Sequence, residues 1–268
     1  VRRFLAENAL MWVTEFRVDA LRLDATDELY GLRADTFLEA LAATVHRQAE
    51  LLNRRVYLIA ENDRADDRLL RPPALGGYGL DALWSDDLHH VLHTLLTGED
   101  FGYFADYGRF DQLAPALRQG FVYAGQFSRV RRRAHGTFGA DLPAASFVVC
   151  TQNHDQVGNR MLGERLAELT TFGQQKLAAG IVLLSPYLPL LFMGEEYGET
   201  APFQYFTSFD DPELIEAVRE GRREAFKGHR WEGELPDPQA EATFERSRLD
   251  HALRGQGRHA VLQSFYTE

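Results

Sequence analysis

The feature that most constrains this chain is one form met three times: an apolar run that leads into a carboxylate. The first is Ala20-Leu21-Arg22-Leu23-Asp24, in which Leu21 and Leu23 alternate with Arg22 and Asp24. The second is Val56-Tyr57-Leu58-Ile59-Ala60-Glu61. The third is Phe147-Val148-Val149-Cys150-Thr151-Gln152-Asn153-His154-Asp155. Short apolar runs bounded by polar text read as buried strands. Residues two apart on a strand share a face, so Arg22 and Asp24 project the same way. Two charges on an inward strand face are costly unless each answers the other or a ligand. Strands that each deliver an acid at the C-terminal end are how a β/α barrel builds an active site. Each acid taken singly also suits helix capping or the holding of a loop. Capping requires neither an arginine on the same strand face nor an Asn-His-Asp run, and this favours chemistry for the group.

In chain order, residues 2–15 have helical spacing that gathers Phe4, Leu5, Leu10, Met11 and Trp12 on a broad apolar face. Gly31 and Asp35 lead into a helix over about 35–52, with Phe37, Leu38, Leu41, Val45 and Leu52 inward. With the flanking runs this makes a strand-helix-strand unit long enough for a parallel crossover. After Glu61 the polar stretch Asn62-Asp63-Arg64 reads as a loop past a strand end, and Gly76-Gly77-Tyr78-Gly79 as a turn. Ala82-Leu83-Trp84 predicts a short strand, followed by a helix N-terminus over Ser85-Asp86-Asp87-Leu88-His89-His90. Adjacent histidines diverge on a helix and no Cys or His spacing closes a ligand set, so no metal is expected.

Residues 98–145 read as irregular, with a basic run from Arg129 to Arg133 that suits a solvated or salt-bridged surface. A helix near 172–184 carries Leu177, Ile181, Val182 and Leu184 and ends at Pro186 and Pro189. Leu190-Leu191-Phe192-Met193 is expected as the last buried strand. A charged helix over 211–226 follows, Pro236-Asp237-Pro238 starts another, and a further helical pattern runs to Glu268. Glu195, Glu196 and Trp84 stand after strands too, and for them a structural part is favoured.

Counting gives about five strands, whereas a closed barrel of this class needs eight. The chain starts at Val1 inside a helical pattern. The expectation is therefore a TIM (β/α)8 barrel truncated at both ends: residues 1–268 as a partial catalytic domain, its N-terminal strands and flanking domains lying outside. A piece with open strand edges is expected to be inactive alone. The 268 residues are 45% hydrophobic and carry a net charge of -11. That balance disfavours nucleic acid and an anionic membrane as partners and suits a neutral ligand. No apolar run approaches the ~20 residues of a membrane span. The single Cys150 sits in an apolar run and reads as a small buried hydrophobe. A cytoplasmic protein is expected, with any leader lying upstream.

These motifs resemble those of the α-amylase superfamily, glycoside hydrolase family 13. Leu21-Arg22-Leu23-Asp24 is similar to the family's G-x-R-x-D motif, Ile59-Ala60-Glu61 to its strand that ends in glutamate, and Asn153-His154-Asp155 to its N-H-D motif. In order and spacing these correspond to barrel strands four, five and seven, so the chain resembles about strands 4–8. The first family motif, D-x-x-x-N-H, is absent, and Ala25-Thr26-Asp27 stands where many members have His or Lys soon after the nucleophile. Five longer runs narrow the likeness to one branch of the family: Leu58 to Arg64, Gln152 to Arg160, Phe192-Met193-Gly194-Glu195-Glu196-Tyr197-Gly198, Pro202-Phe203-Gln204-Tyr205-Phe206 and Leu235-Pro236-Asp237-Pro238-Gln239-Ala240. Members of that branch cut the α-1,4-glucosidic bond beside the trehalose end of a maltooligosaccharide.

The resemblance implies a retaining glycoside hydrolase of an α-glucan, with no cofactor. It implies Asp24 as nucleophile, Glu61 as general acid/base and Asp155 as a third carboxylate that steadies the sugar in the transition state. Arg22, Asn153, His154, Asp63, Arg64 and Gln156 are implied as substrate-binding. The chemistry agrees: acetal cleavage needs a proton for the leaving oxygen and a carboxylate for the oxocarbenium-like carbon. Two other classes share parts of this pattern. An α-amylase or a branching enzyme would share the acids, and a noncatalytic carbohydrate-binding barrel would lose one or more of them.

Overall fold

The computed structural model describes residues 1–31, 33–226 and 234–268. They form two compact units. The first comprises Val1–Val91, Arg109–Val149 and Ser185–Leu188. It opens with helix α1 (Arg2–Thr14), strand β1 (Ala20–Leu23), helix α2 (Phe37–Leu51), strand β2 (Tyr57–Glu61) and strand β3 (Ala82–Trp84). Helix α3 (Asp86–Thr97) begins in this unit. Helix α4 (Leu113–Gln119), the two-stranded hairpin β4 (Phe127–Ser128) and β5 (Arg133–Ala134), and strand β6 (Phe147–Val149) follow, and β7 (Leu188–Pro189) closes the set.

The main sheet has the order β1-β2-β3-β6-β7. The pairs β1–β2, β2–β3 and β3–β6 are all parallel. The register sets Arg22 beside Ile59 and Glu61 beside Trp84. Helix α2 bridges β1 and β2. Its N-cap is Thr36, whose hydroxyl accepts from the Glu39 N–H at 3.1 Å. It buries Leu38, Leu41, Val45 and Ala49, a 3-4-4 spacing that makes one helical stripe, with Ala42 beside it. Leu58, Ala60 and Leu83 are fully buried on the strands. Each large apolar side chain hidden in this way contributes roughly 1.5–3 kcal/mol.

The second unit comprises Leu92–Gly108, Cys150–Leu184 and Pro189–Glu268. It holds α5 (His154–Gly158), α6 (Leu166–Leu169), α7 (Phe172–Leu183), α8 (Pro212–Phe226), α9 (Glu241–Arg246) and α10 (Gly257–Thr267). Helix α7 starts with a capping box, Thr171 and Gln174 bonding reciprocally across its first turn. Arg165 is fully buried; it donates to the Met193 and Ala201 carbonyls at 2.7 Å each and lies over the Phe192 ring.

Several expectations change. The last strand is Leu188–Pro189, not Leu190–Met193: in that apolar run Leu191 and Met193 are exposed and only Phe192 is buried. Helix α1 lies where expected but buries Ala9 and Val13, leaving Phe4 70% and Trp12 40% exposed. Helix α7 packs through the small residues Ala178 and Ala179 with Val182, while its Leu177, and Leu184 just past its end, are exposed. Leu52 lies past the end of α2 and is exposed. The stretch 98–145 is less irregular than its Gly and Tyr content suggests, since it contains α4 and the β4–β5 hairpin. Pro236-Asp237-Pro238 runs into a turn at Pro238 and Gln239, and the helix there begins only at Glu241. Cys150 is buried, as expected. Among the described residues no helix is long and apolar enough to cross a membrane.

Candidate active site

Parallel pairing of β1 with β2 brings the first two acids to one arginine. The Arg22 Nη1 donates to the Asp24 carboxylate, and its Nη2 lies 2.6 Å from Glu61 Oε1. The other Glu61 oxygen accepts the Ala25 N–H at 2.8 Å, and the Thr26 hydroxyl donates to the Glu61 carbonyl at 2.5 Å. The two terminal nitrogens of one guanidinium belong to a rigid planar fork, so the carboxylates they hold stand within a few ångström of each other. The guanidinium itself lies over the Trp84 ring, 4.4 Å from its centroid. Trp84 is the β3 residue in register with Glu61. Its structural part is thus a specific one: it supports the arginine that both acids share. Asp24 remains 78% exposed and open to a ligand.

Backbone geometry supports the same cluster. Ala25 adopts a left-handed conformation, φ 43° and ψ 49°. For a residue with a Cβ this costs on the order of 1 kcal/mol or more. It turns the Ala25 N–H toward Glu61 directly after Asp24. The buried Asn62 ties the two strand-end loops: its amide donates to the Thr26 hydroxyl at 3.1 Å and its carbonyl oxygen accepts the Arg64 N–H at 2.9 Å.

Asp63 and Arg64 diverge in role. Arg64 donates to the Asp27 carbonyl and to the Tyr30 hydroxyl, the latter at 2.7 Å. Asp63 receives Arg131 at 3.1 Å from the turn of the β4–β5 hairpin. In the basic run Arg131 is therefore salt-bridged, while Arg129, Arg132 and Arg133 are exposed, in line with a solvated and paired surface. Both Asp63 and Arg64 line a cleft of about 580 Å³ with Tyr30, Asp27 and His135. Burial first, and the Arg131 charge second, push the His135 imidazole below its ordinary value. A neutral imidazole both donates and accepts, a chemistry suited to hydroxyl groups.

The third acid is built by other means. Asn153 caps α5: its side-chain oxygen accepts the N–H of Asp155 and of Gln156, both at 2.9 Å. Its amide nitrogen points to Cys150 Sγ at 3.8 Å, and the residue is only 3% exposed. Asn153 therefore holds the turn that carries Asp155. His154 Nε2 lies 3.2 Å from Asp155 Oδ2, and both side chains are close to half exposed. Gln156 accepts from the Tyr103 hydroxyl at 3.1 Å. Among the described residues no group of three or more His, Cys, Asp or Glu side chains is arranged to hold a metal.

Glu195 is a core residue. It accepts the Phe192 N–H at 2.9 Å and the Thr151 and Tyr266 hydroxyls at 3.3 Å each, and burial pushes its carboxyl up to about 7. Sequence reasoning missed the parts played by Ala25, Tyr30 and Tyr103. Ala25 acts through its backbone, so its side chain carries no signal. The two tyrosines are distinguished only by partners 34 and 53 residues away.

Comparison with known proteins adds a homology. The chain is 44% identical over its whole length to a malto-oligosyltrehalose trehalohydrolase of Mycobacterium tuberculosis, covering 47% of that protein. It is 45% identical over 99% of its length to a protein of the same name from Rhizobium sp. strain M-11, covering 45% of it. A solved structure of an alpha-amylase candidate from Salmonella typhimurium superimposes with a TM-score of 0.91 at 38% identity, over 99% of this chain and 45% of that one. The chain thus spans about half the length of the curated relatives it matches. No family model matches it. Its parallel strands and helices are part of a TIM (β/α)8 barrel of the α-amylase kind.

Proposed function

We propose, from homology to the malto-oligosyltrehalose trehalohydrolases, that residues 1–268 are the part of a catalytic barrel, about strands four to eight, that carries the hydrolytic acids of a longer protein. The reaction is cleavage of the α-1,4-glucosidic bond next to the trehalose end of maltooligosyltrehalose, with retention. The observation that carries this reading is the sharing of Arg22 by Asp24 and Glu61. Retaining enzymes keep their two carboxyl groups only ~5–5.5 Å apart, and one guanidinium between them suits that spacing.

Asp24 attacks the anomeric carbon and forms a glycosyl ester as the bond to the leaving oxygen breaks. Glu61 supplies the proton that the leaving oxygen takes up. To do so it exchanges its 2.6 Å contact with Arg22 for the glycosidic oxygen, leaving Arg22 to orient Asp24 alone. Glu61 then removes a proton from water, which opens the ester and returns Asp24 to its carboxylate. Asp155 enters through its motif as the third carboxylate, and His154 offers a donor to sugar hydroxyls. Asp63, Arg64 and Gln156 supply polar contacts beside the acids. The chain's negative charge suits a neutral glucan over nucleic acid or an anionic membrane. A lone buried thiol fits a reducing compartment, and we place the protein in the cytoplasm.

The test compares maltooligosyltrehalose with a plain maltooligosaccharide of the same length, using the full-length protein and chromatography of the products. Free trehalose from the first substrate, and much slower attack on the second, is expected. Equal attack on both would make the protein a plain α-amylase, and new α-1,6 links would make it a branching enzyme.

A further inference from the structure

We propose that Glu99 is a positioning residue for Asp155, acting through Arg160 and the short turn that carries the acid. The proposal rests on the reading of Asp155 as the third carboxylate. Helix α5 has only five residues. An isolated helix of that length has no stability of its own, so its place is set by what grips its ends. Asn153 grips the start. At the exit Arg160 donates its N–H to the Val157 carbonyl at 3.1 Å, so Arg160 and the last turn of α5 move together.

Glu99 holds the Arg160 guanidinium with both oxygens, at 2.7 and 2.9 Å, and Arg160 is only 6% exposed. The same Glu99 carboxylate meets His93 Nε2 at 2.7 Å, and the His93 ring is stacked on Phe104 at 4.3 Å and 12°. Tyr103, next in the chain to Phe104, bonds Gln156, the neighbour of Asp155. One segment, 99–104, therefore holds α5 twice, at its exit and beside the acid. Burial pushes the Glu99 carboxyl up, but hydrogen bonds from His93 and Arg160 outweigh it and hold the group down at about 2. The clamp stays ionised across any working pH. A fork-to-fork arginine–carboxylate pair fixes direction as well as distance, which is what a carboxylate aimed at a transition state requires.

The experiment uses the full-length protein and maltooligosyltrehalose. Glu99→Gln, Glu99→Asp and Tyr103→Phe are each made alone and together with Asp155→Asn, and kcat and KM are measured well below the thermal midpoint. Glu99→Gln is expected to lower kcat on the order of tenfold or more with KM nearly unchanged, because an interaction acting in the transition state is lost. Glu99→Asp recovers part of that loss. In the Asp155→Asn background Glu99→Gln has no further effect, since residues that act through one another are not additive. Tyr103→Phe removes one hydroxyl and is expected to give a several-fold loss that also vanishes in that background; it carries the test if Glu99→Gln does not fold. Full kcat in both Glu99→Gln and Tyr103→Phe, or equal losses with and without Asp155, would overturn the positioning role. Wild-type kcat in Asp155→Asn alone would instead overturn the role of Asp155.

Discussion

Asp24 and Glu61 stand at the ends of paired strands; Asp155 stands in the first turn of a five-residue helix. The first pair inherits its placement from a ladder of backbone bonds that the core already needs, and one arginine suffices to relate the two acids. The third acid has no ladder. Its place is defined by a cap on one side and by side chains from a distant segment on the other. The difference teaches that strand-borne groups are positioned by the fold itself and helix-borne ones by dedicated polar contacts. Those contacts are separately removable, and so the two regions answer differently to mutation and to pH.

The largest effect is expected where the fold does the positioning. Asp24→Asn in the full-length protein preserves shape but cannot form the glycosyl ester, so kcat falls on the order of 10³-fold or more while substrate binding persists. Near-normal turnover would remove Asp24 from the mechanism and end the comparison.

A second effect belongs to the region of the third acid. Glu195, bonded to Thr151 just ahead of the Asn153 cap, has its carboxyl pushed from 4.5 to about 7 by burial. A carboxyl with a raised folded value holds a proton that the unfolded chain has already released. Stability from this group is therefore full below about pH 4.5 and is lost as pH rises toward 7, by ~3 kcal/mol in all. Thermal midpoints of the wild type and Glu195→Gln, taken from pH 5 to 8, are expected to diverge as pH rises, the variant being flatter. Parallel curves would show that Glu195 does not titrate in this window.

The smallest effect tests the cap. Asn153→Ala removes the acceptor for the Asp155 and Gln156 N–H groups and is expected to cost ~1 kcal/mol by urea denaturation. A kcat loss with little change in KM should accompany it. If kcat is untouched, the cap supports the helix but not the placement of Asp155.

Much of this was legible in the sequence. The strands β1, β2, β3 and β6 are legible as apolar runs bounded by polar text, and Asp24 and Glu61 stand at the ends of β1 and β2; Asp155 instead lies past β6, in the first turn of α5. The last strand did not, because Leu190–Met193 is apolar without being paired, and pairing is a property of two segments rather than one. Helix α7 is legible from its apolar content, but which residues it buries is not, since Ala178 and Ala179 pack beside Val182 where small side chains allow a close approach. The double hold of Arg22 on Asp24 and Glu61 needs the β1–β2 register, which no local pattern encodes. Nor does the sequence show that Glu99 meets Arg160 across 61 positions, or that Asn153 caps α5.

The most direct measurement traps the covalent intermediate. The Glu61→Gln form of the full-length protein lacks the base that opens the glycosyl ester, but a glycosyl fluoride leaves without an acid's help and can still load the nucleophile. Mass spectrometry of the digested protein is predicted to find one sugar adduct, on the peptide that contains Asp24. An adduct on any other carboxylate, or no adduct together with a product of inverted configuration, would contradict the assignment of Asp24 and Glu61.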